Sequence, residues 1–161
     1  MNKRNIPVGV SDFSEIRQND YYYVDKSELI RELLKTSIAK VTLITRPRRF
    51  GKTLAMSMLA NFFDIRQKNE SLFQGLAVSS DSSFCKEWMN QWPVVFLSLK
   101  NIDGLTFSTA YQQLAYEIGL LFEKHKYLLT DEKIGPAEKE LFERLKNRSA
   151  SEVEVSRSLQ F

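Results

Sequence analysis

The sequence predicts an α/β fold, with parallel strands flanked by helices and a sheet left incomplete over these residues. Three observations predict it. Two short apolar runs, 40–45 and 92–99, are rich in β-branched residues and read as strands buried on both faces. Segments with one-sided apolar periodicity lie before, between and after them. Strands alternating with helices are the pattern of a parallel sheet covered on its faces. Two strands are few for such a sheet, so the chain reads as the front part of a larger domain.

Each element has its own signal. Residues 1–24 form a lead-in, with 1–20 mostly loop because Pro7, Gly9 and Asn19-Asp20 break any period. The remainder, 25–161, reads as a helix and strand core. A helix is expected after Asp25, which suits an N-cap, with Glu28 three residues on as in a capping box. Leu29, Ile30, Leu33 and Leu34 supply its stripe. "KVTLIT", 40–45, is the first strand. The next helix opens after Gly51, carries Leu54, Met58, Leu59, Phe62 and Phe63 on one side, and ends near Arg66. "QKNESLFQGLAVSSDSS" is a connection with weak helical turns. Ser80 or Asp81 caps a helix through Phe84, Trp88 and Met89.

"WPVVFLSL" is the second strand, with Pro93 at its edge. The longest helical pattern follows, "TFSTAYQQLAYEIGLLFEKHKYLL", with its stripe on Phe107, Tyr111, Leu114, Ala115, Ile118, Leu121 and Phe122. Gly135-Pro136 breaks the chain before the charged helix "AEKELFERLKN". Ser151 opens the first turns of a last helix.

The totals fit one ordinary globular domain: 161 residues, 43% hydrophobic and 27% charged. A net charge of +3 is too mild to argue nucleic acid from charge alone. The basic signal is local, with Arg46, Arg48 and Arg49 in four residues. A single cysteine, Cys85, excludes an intrachain disulfide and reads as a packing residue. No apolar run approaches the ~20 residues of a membrane span. The basic N-terminus lacks the apolar stretch of a secretory leader, so the cytoplasm is the expected location.

The chemistry concentrates at "TRPRRFGKTL". A helix N-terminus offers unpaired N–H groups and a partial positive charge to phosphate. Gly51 has no Cβ to block that approach. Lys52 supplies a mobile cation, and Thr53 places a hydroxyl in the first turn, where Mg²⁺ would sit. The spacing is that of a phosphate-binding P-loop over 46–53, except that Arg46 stands where the first glycine belongs. Pro47 offers a fixed φ instead, with Arg46 extended before it. Arg48 and Arg49 have the geometry for bidentate phosphate contacts. The candidate nucleotide-binding residues are Arg48, Arg49, Phe50, Gly51, Lys52, Thr53 and Leu54, with Thr53 as metal ligand and ATP and Mg²⁺ as the cofactors. The bland alternative is a basic turn before a helix with no ligand. A further one is a basic interaction module, in which Arg46, Arg48, Arg49 and Lys52 contact nucleic acid or an acidic partner.

"YYYVDKSELIRELL", "VTLITRPRRFGKTLAMSMLANFF" and "WPVVFLSLK" together resemble the opening of the bacterial AAA-ATPase-like family. The resemblance runs from about Pro7 to Phe161 and implies a P-loop NTPase-like fold. It makes R-P-R-R-F-G-K-T the Walker A loop, so that Arg46 belongs to the group's pattern. It carries phosphate and Mg²⁺ contacts onto Gly51, Lys52 and Thr53, with Arg48 and Arg49 in the same loop. It also brings Tyr23, Val24 and Asp25 near an adenine, against their reading as a helix cap beside a tyrosine cluster.

The resemblance further implies a Walker B strand ending in Asp-Glu, which the chain does not supply. Asp103 lies four residues beyond "VVFLSL", too far, and the apolar run of "YLLTDE" is too short. No catalytic residue is therefore assigned, and binding with little turnover is expected. Family members often carry a C-terminal PD-(D/E)xK nuclease-like region, the implied route to nucleic acid; it is absent from this sequence. A truncated, inactive fragment with an open sheet edge, prone to self-association, is the remaining expectation.

Overall fold

The computed structural model describes residues 4–35, 41–45, 47 and 49–160. Lys40, Arg46, Arg48 and Phe161, which the sequence reading used, lie outside them. Among the described residues, eight α-helices follow in order: α1 Phe13–Gln18, α2 Glu28–Lys35, α3 Lys52–Phe63, α4 Glu70–Phe73, α5 Ser82–Trp88, α6 Phe107–Lys124, α7 Pro136–Lys146 and α8 Glu152–Arg157. Tighter helical turns at Ala77–Ser80 and Lys126–Thr130 join some of them.

The expected α/β, P-loop NTPase-like sheet of parallel strands is not seen among the described residues. Residues 41–45 and 93–99 form no strand. Among the described residues, strand pairing is confined to one parallel bridge between Asp64 and Trp92. Its hydrogen bonds run from Ile65 N–H to the Trp92 carbonyl at 2.8 Å and from Trp92 N–H to the Phe63 carbonyl at 2.9 Å. Apolar composition suits a run to a buried strand, but a strand exists only in a ladder with a neighbour. Here 41–45 enters none and the second run contributes only Trp92 to that single bridge, and side chains meant for a core face outward: Val41 is 84% and Leu99 63% exposed.

The chain divides into two compact units, Met1–Val94 and Val95–Phe161. The first is built on aromatic packing. Phe13, Phe62 and Phe73 are fully buried, with ring centroids 4.9 Å apart for Phe13–Phe73 and 5.2 Å for Phe62–Phe73. Ile30, Met58 and Val78 complete its centre.

Helix α1 corrects the reading of 1–20 as mostly loop. Asp12 caps it, accepting from Glu15 N–H at 3.0 Å, and Phe13 and Ile16 bury one face. The helix is latched on both sides. Phe13 N–H donates to Ser57 Oγ of α3 at 3.0 Å. Arg17 donates to the carbonyls of Leu72 at 2.7 Å and Gln74 at 2.8 Å.

Asp25 is not the N-cap of α2. The helix starts three residues later, and the Asp25 carboxylate accepts from Ser27 N–H at 2.8 Å and from Ala77 N–H at 2.7 Å. Buried Ser27 Oγ takes Val78 N–H at 3.0 Å. This turn therefore ties 25–27 to 77–78. Helix α3 ends at Phe63, short of the expected Arg66, because Asp64 turns extended. The Asn90 amide then donates to the carbonyls of Asn61 and Asp64, at 3.1 and 3.0 Å, occupying acceptors a helix end leaves open. Asp81 caps α5 through Phe84 N–H at 3.0 Å.

In the second unit, Thr106 caps α6, Pro136 opens α7 at a position where its missing N–H is harmless, and a Ser151–Glu154 capping box opens α8. Ile118, Leu145 and Val155 form the buried centre. The long helical pattern breaks at His125, whose buried ring lies 2.8 Å from the Leu121 carbonyl. No helix among the described residues is long and apolar enough to cross a membrane.

Candidate anion site at the start of α3

The site is made by the loop that enters α3. Gly51 sits in the left-handed region, φ 75° and ψ 22°, and no side chain caps the helix. A Cβ at Gly51 would meet nothing within 4 Å, so glycine is required by backbone angle rather than by space. Arg49 is also left-handed, at φ 68°. The regular ladder starts with Ala55 N–H on the Gly51 carbonyl at 2.9 Å. By helix geometry, the N–H groups ahead of that bond point out of the helix start without intrahelical acceptors. The Lys52 ammonium donates to the Pro47 carbonyl at 3.0 Å, so it stays at the loop and spans it from helix to lip.

This helix start opens into a cavity of about 830 Å³. Arg49, Gly51, Lys52, Thr53 and Leu54 line one part of it, Pro7 to Ser11 another, and Tyr22, Tyr23 and Val24 a third. Met58 contributes from the next turn of α3. The Tyr23 hydroxyl donates to Met58 Sδ at 3.3 Å, and its ring meets Phe13 edge-on at 5.5 Å. Burial pushes the Tyr23 phenol above its usual pKa, so it remains neutral.

The predicted residues separate clearly. Arg49, Gly51, Lys52, Thr53 and Leu54 share the cavity. Phe50 is 62% exposed and outside its lining. Arg48 lies outside the described residues. Tyr23 and Val24 line the cavity, but Asp25 does not, since its oxygens serve Ser27 and Ala77. Asp103 belongs to the second unit, where its N–H donates to Gln113 Oε1 at 2.7 Å. Asp131 holds a turn through Lys133 N–H at 2.9 Å. Cys85 contacts the Val78 carbonyl at 3.4 Å, and burial raises its thiol pKa away from thiolate chemistry. Among the described residues, no cluster of three or more His, Cys, Asp or Glu side chains could hold a metal ion. The sequence reading missed the wall made by Pro7–Ser11 and Tyr22. The signal available was Gly9 between two valines, Val8 and Val10, in a stretch read as plain loop.

A helix start with a left-handed glycine, a basic lip and an open hollow is an arrangement suited to an oligoanion. The chain belongs to the AAA-ATPase-like family: the family model described as "Predicted AAA-ATPase" matches residues 7–155. It is also similar to a protein of Azotobacter chroococcum mcd 1 described as "Uncharacterized protein in vnfD 5'region", 36% identical over 99 residues. That stretch is 61% of this chain and only 17% of the relative's length. No solved structure matches the chain.

Proposed function

We propose that the hollow at the start of α3 binds Mg·ATP. The observation that carries this is the convergence of Arg49, Gly51, Lys52, Thr53 and Leu54 on one cavity at a helix N-terminus. Membership of a family described as a predicted AAA-ATPase supports the same ligand. The volume, about 830 Å³, lies within the roughly 300–1,000 Å³ usual for small-molecule sites.

In this reading the N–H groups at the helix start cradle phosphate oxygens. Lys52 exchanges the Pro47 carbonyl for the outer phosphates. Thr53, exposed at the mouth, offers its hydroxyl to Mg²⁺, whose other ligands are phosphate oxygens and water. Among the described residues the cavity lining includes no carboxylate, so none of them orients an attacking water or holds the ion from the far side. The chain therefore binds nucleotide with little turnover.

Isothermal titration calorimetry tests this. Lys52→Ala should weaken Mg·ATP binding at least tenfold, about 1.4 kcal/mol, and chelating Mg²⁺ should weaken binding to the unaltered protein. Equal affinity for the two proteins would remove the assignment.

A further inference from the structure

Two departures from helix rules in the second unit converge on one arginine. Arg148 follows the cap of α7 in the left-handed region, φ 61°, where glycine is the usual residue. Gly119 stands inside α6, where glycine weakens a helix. The two fit together: a Cβ at Gly119 would meet Arg148 Cγ at 3.0 Å and Nε at 3.2 Å. The arginine stem lies along that gap, and its guanidinium sits 4.0 Å over the Tyr116 ring. Arg4, Arg31, Arg66 and Arg144 each pair with a carboxylate. Arg148 has no such partner among the described residues and is exposed, as is Tyr116 at 47%. A planar cation already fixed on an aromatic ring loses little freedom when it meets an anion.

A matching anion stands in the same stretch of chain. Glu152 opens α8 and is exposed, without an ion-pair partner among the described residues. Val153 beside it is 60% exposed. Burial, and after it the Glu152 carboxylate, push the Tyr111 phenol above its usual pKa, so Glu152 too lies near α6. In a two-fold contact the same patch meets itself, residue i touching j and j touching i. A patch holding one unpaired cation and one unpaired anion meets that condition with two equal ion pairs. We propose that Tyr116, Arg148, Glu152 and Val153 form a self-complementary surface through which two copies of this chain pair, Arg148 of each copy against Glu152 of the other. The pairing does not depend on the nucleotide reading of the cavity.

Sedimentation velocity over a concentration series tests it on the unaltered protein, Arg148→Glu, Glu152→Arg and an equimolar mixture of the two variants. Both positions are exposed, and circular dichroism checks that each variant folds. Each variant alone sets like charges against one another and should need at least about tenfold more protein to reach half dimer. The mixture restores both opposite-charge pairs and should dimerise within about fourfold of the unaltered concentration. Equal dimerisation in all four samples would overturn the proposal and place association elsewhere. So would a mixture no better than its components, or an unaltered protein that stays monomeric. Glu152→Gln keeps the shape and removes the charge, so it reads the pairing even if Arg148→Glu unfolds. It should raise the half-dimer concentration at least about threefold, and an unchanged value would overturn the pairing.

Discussion

Gly51 shows how a single residue fixes the site. Its left-handed backbone aims the start of α3 into the cavity, and an added methyl meets no atom within 4 Å. Gly51→Ala should therefore cost about 1–2 kcal/mol through backbone strain alone, read as a lower urea midpoint with unchanged slope. Asp25 shows a different dependence. Burial works to raise its carboxyl pKa, but hydrogen bonds from Ala77 and Ser27 outweigh this and hold it below the ordinary value. A carboxyl whose folded pKa is depressed stabilises above its unfolded pKa of about 4, and loses that contribution as pH falls through the folded value. Asp25→Asn should lower the melting temperature at pH 7, with the gap to the unaltered protein closing below pH 4. At this scale the Gly51-Lys52-Thr53 turn was legible because its chemistry is contiguous in sequence. The true tie of Asp25 was not, because its partner Ala77 is 52 positions away.

Among the elements, α3, α5, α6 and α7 were legible from periodicity and from their caps or breaks. Helix α1 was missed because six residues hold too little period, and its stability comes from distant latches rather than propensity. Ser57→Ala tests the nearer latch. It leaves the buried Phe13 N–H without its acceptor and should cost about 1–3 kcal/mol in denaturant unfolding; a variant as stable as the parent would show the latch to be idle. The strands failed for a separate reason. Composition names residues that suit a sheet, but not the neighbour that completes it; among the described residues 41–45 is unpaired and the second run pairs only through Trp92.

For the molecule as a whole, those two runs leave apolar surface uncovered, with Val41 and Leu43 in the first unit and Val95 and Leu99 in the second. Such surface favours association. Sedimentation should find mass rising with protein concentration, and Val41→Lys with Leu43→Lys should reduce the rise; a monomer at every concentration would contradict this. Family membership, legible from "RPRRFGKT" and its flanks, is matched over 7–155. The central claim remains that the start of α3 receives a polyphosphate. Backbone amide shifts measured by NMR on adding Mg·ATP test it most directly. The Gly51, Lys52 and Thr53 amides should move the most and saturate together. Saturable shifts that bypass α3's first turn, or an unchanged spectrum, would contradict it.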